Sequence, residues 1–213
     1  MNAEEYVYPQ DWKNIGVRYI YAIDPDIENS GVAIIDTETK TVRIAKSVQT
    51  VSLFLDLKHS VDSGKVSSML PAQGRPLVVV EAGWKVKDVN YHGTKGFRRA
   101  QRVAHDVGEN HAAGKLIVGF AQRVGLTVVE HYPLKKSWGG KDKKITAREL
   151  ESLTGYRERT NQDVRDAILL GWTFAGFPMR VDPSIYVDVA DGKDKAVENH
   201  FKVGPDGRLH FVD

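Results

Sequence analysis

The sequence predicts an α/β protein built on a mixed β-sheet: a three-stranded meander first, then strands alternating with helices that flank the sheet. Three observations carry that expectation. Residues 18–47 contain three β-rich runs separated by short turns. An unbroken apolar run, Leu77-Val78-Val79-Val80, follows Pro76 and has the pattern of a strand buried on both faces. Beyond it, a long stretch of helical periodicity leads to another β-rich run at 126–130. A meander followed by strand–helix alternation places helices against a mixed sheet.

Each element has its own signal. Residues 1–17 form an irregular lead-in with scattered aromatics. Residues 18–24 read as a strand that ends on Asp24, with Pro25 behind it. Residues 31–36 and 41–47 are two more strands, made a hairpin by Thr37-Glu38-Thr39-Lys40. Residues 49–70 mix helical patches with a Ser/Gly-rich break. The buried strand after Pro76 closes on Glu81, and a basic, aromatic loop occupies 82–95. Residues 97–124 read as one long helix, or two broken near Gly114, with a stripe of Ala100, Val103, Ala104, Val107, Ala112 and Leu116. A strand at 126–130 and a basic loop at 133–144 follow. Thr146 is a helix cap with Glu149 as its capping-box partner, and that short helix runs to Leu153. After a connector, 163–175 is the final helix. The domain therefore covers 18–175. The extension 176–213 carries a hairpin, 201–203 and 209–212, about Gly-Pro-Asp-Gly.

Composition narrows the class. A chain of 213 residues can bury a sizeable core without staples, and 41% hydrophobic with 27% charged residues is ordinary for a globular protein. With no cysteine there is no disulfide framework, no thiol nucleophile and no zinc ribbon. The longest aliphatic run, Leu77 to Val80, is far below the roughly 20 residues of a membrane span. Glu4, Glu5 and Asp11 argue against a secretory or transit leader, so a soluble, cytoplasmic protein is expected. Charge is uneven: residues 85–148 hold 14 Lys/Arg against 5 Asp/Glu, a net of +9 in a chain of net +2. Such a segment suits a polyanion, although a solvated lysine-rich face has the same composition.

Four acids stand where acids are not expected. Asp24 and Glu81 close apolar strands, and Asp163 and Asp166 lie i, i+3 on one face of the last helix. A carboxylate at the end of a buried strand is costly unless it meets water, a partner or a metal. Carboxylates without thiols or paired histidines suit Mg²⁺ or Mn²⁺, and two such ions can activate water and stabilise the leaving oxygen of a phosphodiester. Other signals fail. The stretch Gly108 to Lys115 has one residue too many between its glycines for a P-loop, and Leu116 stands where a Mg²⁺-binding hydroxyl belongs, so no nucleotide cofactor is expected. His105 and His111, six apart, do not have metal-ligand spacing and read as helix-packing or DNA-side residues.

The order of these motifs resembles one family. Ile23-Asp24-Pro25 with Ser30-Gly31-Val32-Ala33 is similar to the first hairpin of RuvC-type Holliday junction resolvases, within the ribonuclease H-like superfamily. Val78-Val79-Val80-Glu81 resembles their second acidic strand, and Val107-Gly108-Glu109-Asn110 through Gly114 and Leu116 their long helix. Thr127-Val128-Val129-Glu130 with the turn from Pro133 to Lys136, Lys144 before a short helix, and Asp163-Val164-Arg165-Asp166-Ala167 resemble the remaining motifs. The resemblance covers about residues 18–175. It departs at Asp26, where the family usually has glycine, and in the extension beyond 176.

The resemblance implies a ribonuclease H-like fold and a Mg²⁺- or Mn²⁺-dependent endonuclease, with two ions per active site, that resolves four-way DNA junctions. It implies that Asp24, Glu81, Asp163 and Asp166 are the metal-binding catalytic acids and that Lys136 and Lys144 contact phosphate. The loop after Glu81 resembles the junction-probing loop, with Trp84 and Tyr91 as candidate stacking residues. Arg98, Arg99 and Arg102 are expected to face DNA from the basic segment. A symmetric junction needs two cuts, so a homodimer is expected, with the long helix in its interface. Three other readings stay open: a related nuclease on other branched DNA or RNA–DNA hybrids, a non-catalytic junction scaffold, and an actin-like ATPase, which lacks its glycine-rich loops here.

Overall fold

In the computed structural model the described residues are 17–86, 97–182 and 185, with 201–203 and 209–211 as backbone and the side chains of 97–100 set aside. They form two compact units: one from the described part of 1–134 with Thr160–Phe177, the other from 135–159 with the described part of 178–213. Each is described by itself.

The first unit is the mixed sheet. Strand β1, Tyr19–Asp24, pairs antiparallel with β2, Asn29–Asp36, which pairs antiparallel with β3, Thr41–Gln49. Helix α1, Thr50–Ser63, leads toward β4, Leu77–Glu81, which lies parallel to β1 on its other side. Helix α2, Phe97–Arg123, crosses over to β5, Val128–His131, parallel to β4. The order is β3-β2-β1-β4-β5, a mixed sheet in which the expected three-stranded meander is antiparallel and β4 and β5 are parallel to β1. Helix α4, Gln162–Phe174, packs on β1 and β2.

The two faces separate by strand periodicity. Tyr21 and Ile23 of β1 and Val78 and Val80 of β4 join Leu53 and Leu57 of α1 and Ile117 and Ala121 of α2 in one apolar cluster. The alternate residues face α4, where Gly171 sits against Ala22 and Ile35 so closely that a Cβ would overlap them. β1 and β4 are therefore covered on both sides, and Ile20 to Ile23 and Val78 to Val80 have no exposed surface. A buried polar network borders this core. Asp56 of α1 accepts hydrogen bonds from the Tyr21 hydroxyl at 2.9 Å, the Ser67 hydroxyl at 2.7 Å, the Ser68 amide at 2.7 Å and the Ser68 hydroxyl. Burial, and then the Asp56 carboxylate, push the Tyr21 phenol well above its ordinary range.

Several element boundaries differ from the sequence reading. Residues 50–63 are one helix, ended by Gly64 in the left-handed conformation at φ 67°. Strand β5 extends to His131, one residue past the expected end. Helix α2 runs through Gly114 unbroken. Its apolar stripe is also different. Ala104, Ala112 and Leu116 are exposed, and Ala113, Ile117, Val118 and Ala121 are the buried positions. Val103 and Val107 are half-buried, but in the second half of α2 the packed face runs through Ala113, Ile117 and Ala121, one residue round the helix from Ala112 and Leu116.

In the second unit, α3, Ala147–Thr154, begins at Thr146, and the expected capping box is formed in both directions. Gly155, at φ 72°, ends it. Strands β6, Phe201–Val203, and β7, Leu209–Phe211, pair antiparallel, as the hairpin signal implied. Among the described residues no helix is long and apolar enough to cross a membrane.

Candidate active site

β1 and β4 are neighbours in parallel register, with Ile23 beside Val80, so Asp24 and Glu81 end adjacent strands at the same edge. Ile23 and Val80 point into the α1–α2 cluster, so by alternation the two acids point to the face that α4 covers. Asp24 pairs with Gly31 of β2. A Cβ on Gly31 would overlap the Asp163 carbonyl, so the first turn of α4 lies directly on that pair. The missing side chain at Gly31 is what lets Asp163 approach the Asp24 strand end. Asp166 follows one helical turn later on the same side of α4. The backbone thus places Asp24, Glu81 and the first turn of α4, which carries Asp163 and Asp166, at the same end of the sheet, while a group of three ligand atoms within 4.8 Å of one another is found among the described residues only at His105, Asp106 and Glu109.

The turns that carry them are tied down. Asn161 caps α4 by accepting the Val164 amide at 2.9 Å. Asp166 Oδ1 accepts from the Gln162 side-chain amide at 2.7 Å, and Gln162 Oε1 accepts from Arg165 at 2.8 Å, while Arg165 also donates to the Thr160 carbonyl at 2.8 Å. After Asp24, Asp26 occupies the position where the family usually has glycine. Its carboxylate accepts the amides of Glu28 at 2.9 Å and Asn29 at 3.1 Å, an Asx-type turn. Its carbonyl accepts the Thr50 hydroxyl at 2.7 Å. Asp26 is not among the residues at positive φ, so its side chain shapes the turn without backbone strain. Asn110 of α2 accepts the Ile27 amide at 3.2 Å, fastening the same turn to the helix.

Behind Glu81, the Ala82 amide donates to the His131 carbonyl at 2.7 Å, and Gly83–Lys85 form a 3₁₀ turn. Trp84 is held inward. Its indole N–H donates to Glu130 at 2.9 Å, Lys85 pairs with the same carboxylate at 3.6 Å, and its ring meets His111 edge-on at 6.2 Å. The ring fills the space above Gly114 together with Pro25, whose Cγ lies 3.1 Å from where a Cβ would stand. Expected as a stacking residue, Trp84 here locks the turn after Glu81 onto α2. Tyr91 lies outside the described residues, as do the side chains of Arg98 and Arg99. Arg102 is exposed on α2, and Lys136 and Lys144 belong to the second unit.

One residue of this edge is absent from the sequence reading. His131 is the register partner of Glu81 and is buried, and its ring meets Phe174 of α4 at 6.2 Å, so it shares the acids' face. Its Nδ1 lies 2.5 Å from the Tyr132 carbonyl. A carbonyl only accepts, so Nδ1 carries the proton. Burial pulls the imidazole below its usual pKa, and that hydrogen bond opposes the shift in part. The alternation from buried Val129 was the signal available. Elsewhere on α2, ligand atoms of His105, Asp106 and Glu109 lie within 4.8 Å of one another. His105 Nδ1 is 3.7 Å from Asp106 and 3.4 Å from Glu109, ion-pair geometry whenever the imidazole is protonated.

No protein-family model and no curated protein sequence matches the chain. Solved structures similar to it include two from Thermus thermophilus. The RuvC of Thermus thermophilus in complex with a Holliday junction substrate matches at 17% identity and a TM-score of 0.45, over 74% of this chain and 92% of its own. The RuvC structure from Thermus thermophilus matches at 15% identity and a TM-score of 0.44, over 75% of this chain and 97% of its own.

Proposed function

We propose that this chain is a divalent-metal-dependent endonuclease that resolves four-way DNA junctions by paired phosphodiester hydrolysis, acting as a homodimer. The observation that supports the reading is backbone placement: Asp24 and Glu81 end neighbouring parallel strands, and the first turn of α4, with Asp163 and then Asp166, lies against the Asp24–Gly31 pair. Neighbouring strands run about 4.8 Å apart. Two carboxylates held about 5 Å apart repel by about 3 kcal/mol at an effective dielectric constant of about 20. A cation relieves that repulsion, and an all-oxygen donor set fits Mg²⁺ or Mn²⁺.

Those four carboxylates would hold two ions, which when bound supply water activation and stabilisation of the leaving oxygen. The chain's own part is positioning. Gln162, itself fixed by Arg165, orients Asp166. Gly31 admits Asp163 to the Asp24 strand end. The Asp26 turn and the Trp84 lock hold Asp24 and Glu81 in place. Lys136 and Lys144 contact DNA phosphates in this reading, with Arg98, Arg99 and Arg102 of α2 and the aromatic Tyr91 completing the DNA-facing set.

The test is incubation with Mg²⁺ or Mn²⁺ and a labelled mobile four-way junction, beside duplex and RNA–DNA hybrid controls. Paired, symmetric nicks on the junction are expected, and faster hybrid cleavage would move the chain to another substrate. Asp24→Asn should abolish cutting and leave junction affinity within about threefold, because phosphate contacts supply most of it. Tight junction binding with no cleavage in either metal returns the scaffold reading.

A further inference from the structure

We propose that residues 135–144 form a preorganised cationic grip for nucleic-acid backbone, one that holds duplex arms and junction alike. The proposal deepens the DNA reading above and assigns a role to Lys141, Lys143 and Glu149. The segment carries Lys135, Lys136, Lys141, Lys143 and Lys144 against the single acid Asp142. All but Lys144 of these lysines are exposed.

The segment is folded on itself. The Trp138 amide donates to the Lys143 carbonyl at 3.1 Å, and the Gly140 amide to the Lys144 carbonyl at 3.0 Å. The Lys143 amide returns to Gly140 at 3.0 Å and the Lys144 amide to Lys141 at 3.1 Å. Asp142 and Lys143 stand consecutively in the left-handed region, at φ 56° and 57°, a conformation that costs non-glycine residues energy and persists only where the surroundings impose it. Glu149 of α3 pins the chain on both sides of these two residues, at Gly139 and at Thr146. Its carboxylate is buried and accepts the Gly139 amide through Oε1 at 2.8 Å. Through Oε2 it accepts both the amide and the hydroxyl of Thr146, each at 2.8 Å.

That clamp also fixes what the loop can recognise. Gly139-Gly140-Lys141 has the look of a phosphate loop, but the Gly139 amide that such a loop would turn toward phosphate is already given to Glu149. The α3 N-terminus is likewise occupied by its capping box. Anion recognition therefore falls to the outward ammonium groups. These are point charges on flexible stems that meet phosphates and read no base edges. A folded backbone places them together without a backbone ordering cost at binding. The expected partner is the regular phosphate array of a helical arm, and junction selectivity arises elsewhere in the molecule.

The test uses the full chain without divalent ions, binding fluorescent junction and fluorescent duplex of matching arm sequence across a salt series. Lys141→Ala/Lys143→Ala should weaken both ligands alike, by about tenfold, and lower the slope of log affinity against log salt by about 2, near 0.9 per phosphate. An unchanged slope, or a loss confined to the junction, overturns the grip. Glu149→Gln discriminates by sign. Removing a negative charge from a basic loop strengthens binding if charge alone matters, whereas loss of the clamp weakens it at least threefold, as expected here. The lysine pair is exposed and decides the proposal even if Glu149→Gln fails to fold. If the chain binds both DNAs with these slopes yet cuts no junction with Mg²⁺ or Mn²⁺, the nuclease reading falls and the grip stands. If it cuts junctions while the lysine variant keeps the wild-type slope, the grip alone falls.

Discussion

Gly31 shows how a single missing atom can set a site. Its Cα is the surface on which the first turn of α4 rests, and a methyl there would overlap the Asp163 carbonyl. Both neighbours are backbone, so the strain cannot be relieved by rotating a side chain. Gly31→Ala should therefore lift α4, lower the melting temperature and weaken Mn²⁺ binding by at least tenfold in calorimetric titration. Wild-type metal affinity in that variant would mean that Asp163 is not needed at the site. Asp36, at the far end of β2, gives a pH-dependent counterpart. Burial pushes its carboxyl upward, but the Arg18 guanidinium and the amides of Thr39 and Glu38 prevail and hold it below the ordinary value of 3.8. A carboxyl held low stabilises the fold in full above its ordinary pKa, and that stability is lost as pH falls through the lower folded value. Asp36→Asn should thus melt several degrees below wild type at pH 7, with the gap closing below about pH 4; a gap constant with pH would remove the ionic explanation. At this scale the sequence was most legible where a residue broke its local pattern. Asp24 and Glu81 stood out because a carboxylate ends an apolar strand. His131 did not, because its strand was read one residue short. Trp84 was visible as an aromatic, but its inward direction depends on Glu130 and Gly114, both remote in sequence.

Elements were legible where their signal was local and obscured where a partner decided. The capping box of α3 formed as Thr146 and Glu149 imply, since all its atoms lie within one turn. The meander was equally plain from its short connections. Helix α2 was legible only in part: one long helix is among the two readings its pattern allows, the other breaking it near Gly114, but the stripe through Ala112 and Leu116 lies one residue off the buried face. The reason is tertiary. Gly114 is needed where Pro25 and the Trp84 ring press onto the helix, so the residue that weakens the helix is the one that lets the turns behind Asp24 and Glu81 dock on it. Alanine exceeds glycine in helix propensity by about 1 kcal/mol, which taken alone predicts stabilisation. The contact with Trp84 predicts the reverse. Gly114→Ala should lower the melting temperature and shift Trp84 emission toward the exposed-indole wavelength, with Trp84→Phe identifying the signal. A more stable variant with unchanged emission would show that the two turns do not depend on this close approach.

At the scale of the molecule, the charge pattern and the proposed reaction make different demands. In the proposed reading the basic segment would hold the polyanion, but a four-way junction is resolved only if two strands of like polarity are cut within one complex. A pair of chains meets that requirement through symmetry, since one interface sets the spacing of two identical sites. Helix α2 is the expected contributor, and its outward Leu116 is 63% exposed. The prediction is quantitative and needs no structure of the pair. Wild-type chain is mixed with Asp24→Asn in varied proportion at constant total protein, and pairs are allowed to exchange before metal is added to a supercoiled cruciform substrate. A mixed pair has one working site, so it nicks but does not resolve. Linearised product from the first binding event should fall as the square of the wild-type fraction, and total nicks should fall in direct proportion to it. If linear product also falls in direct proportion, a single working chain makes both cuts, and a symmetric pair of sites is not what resolves the junction.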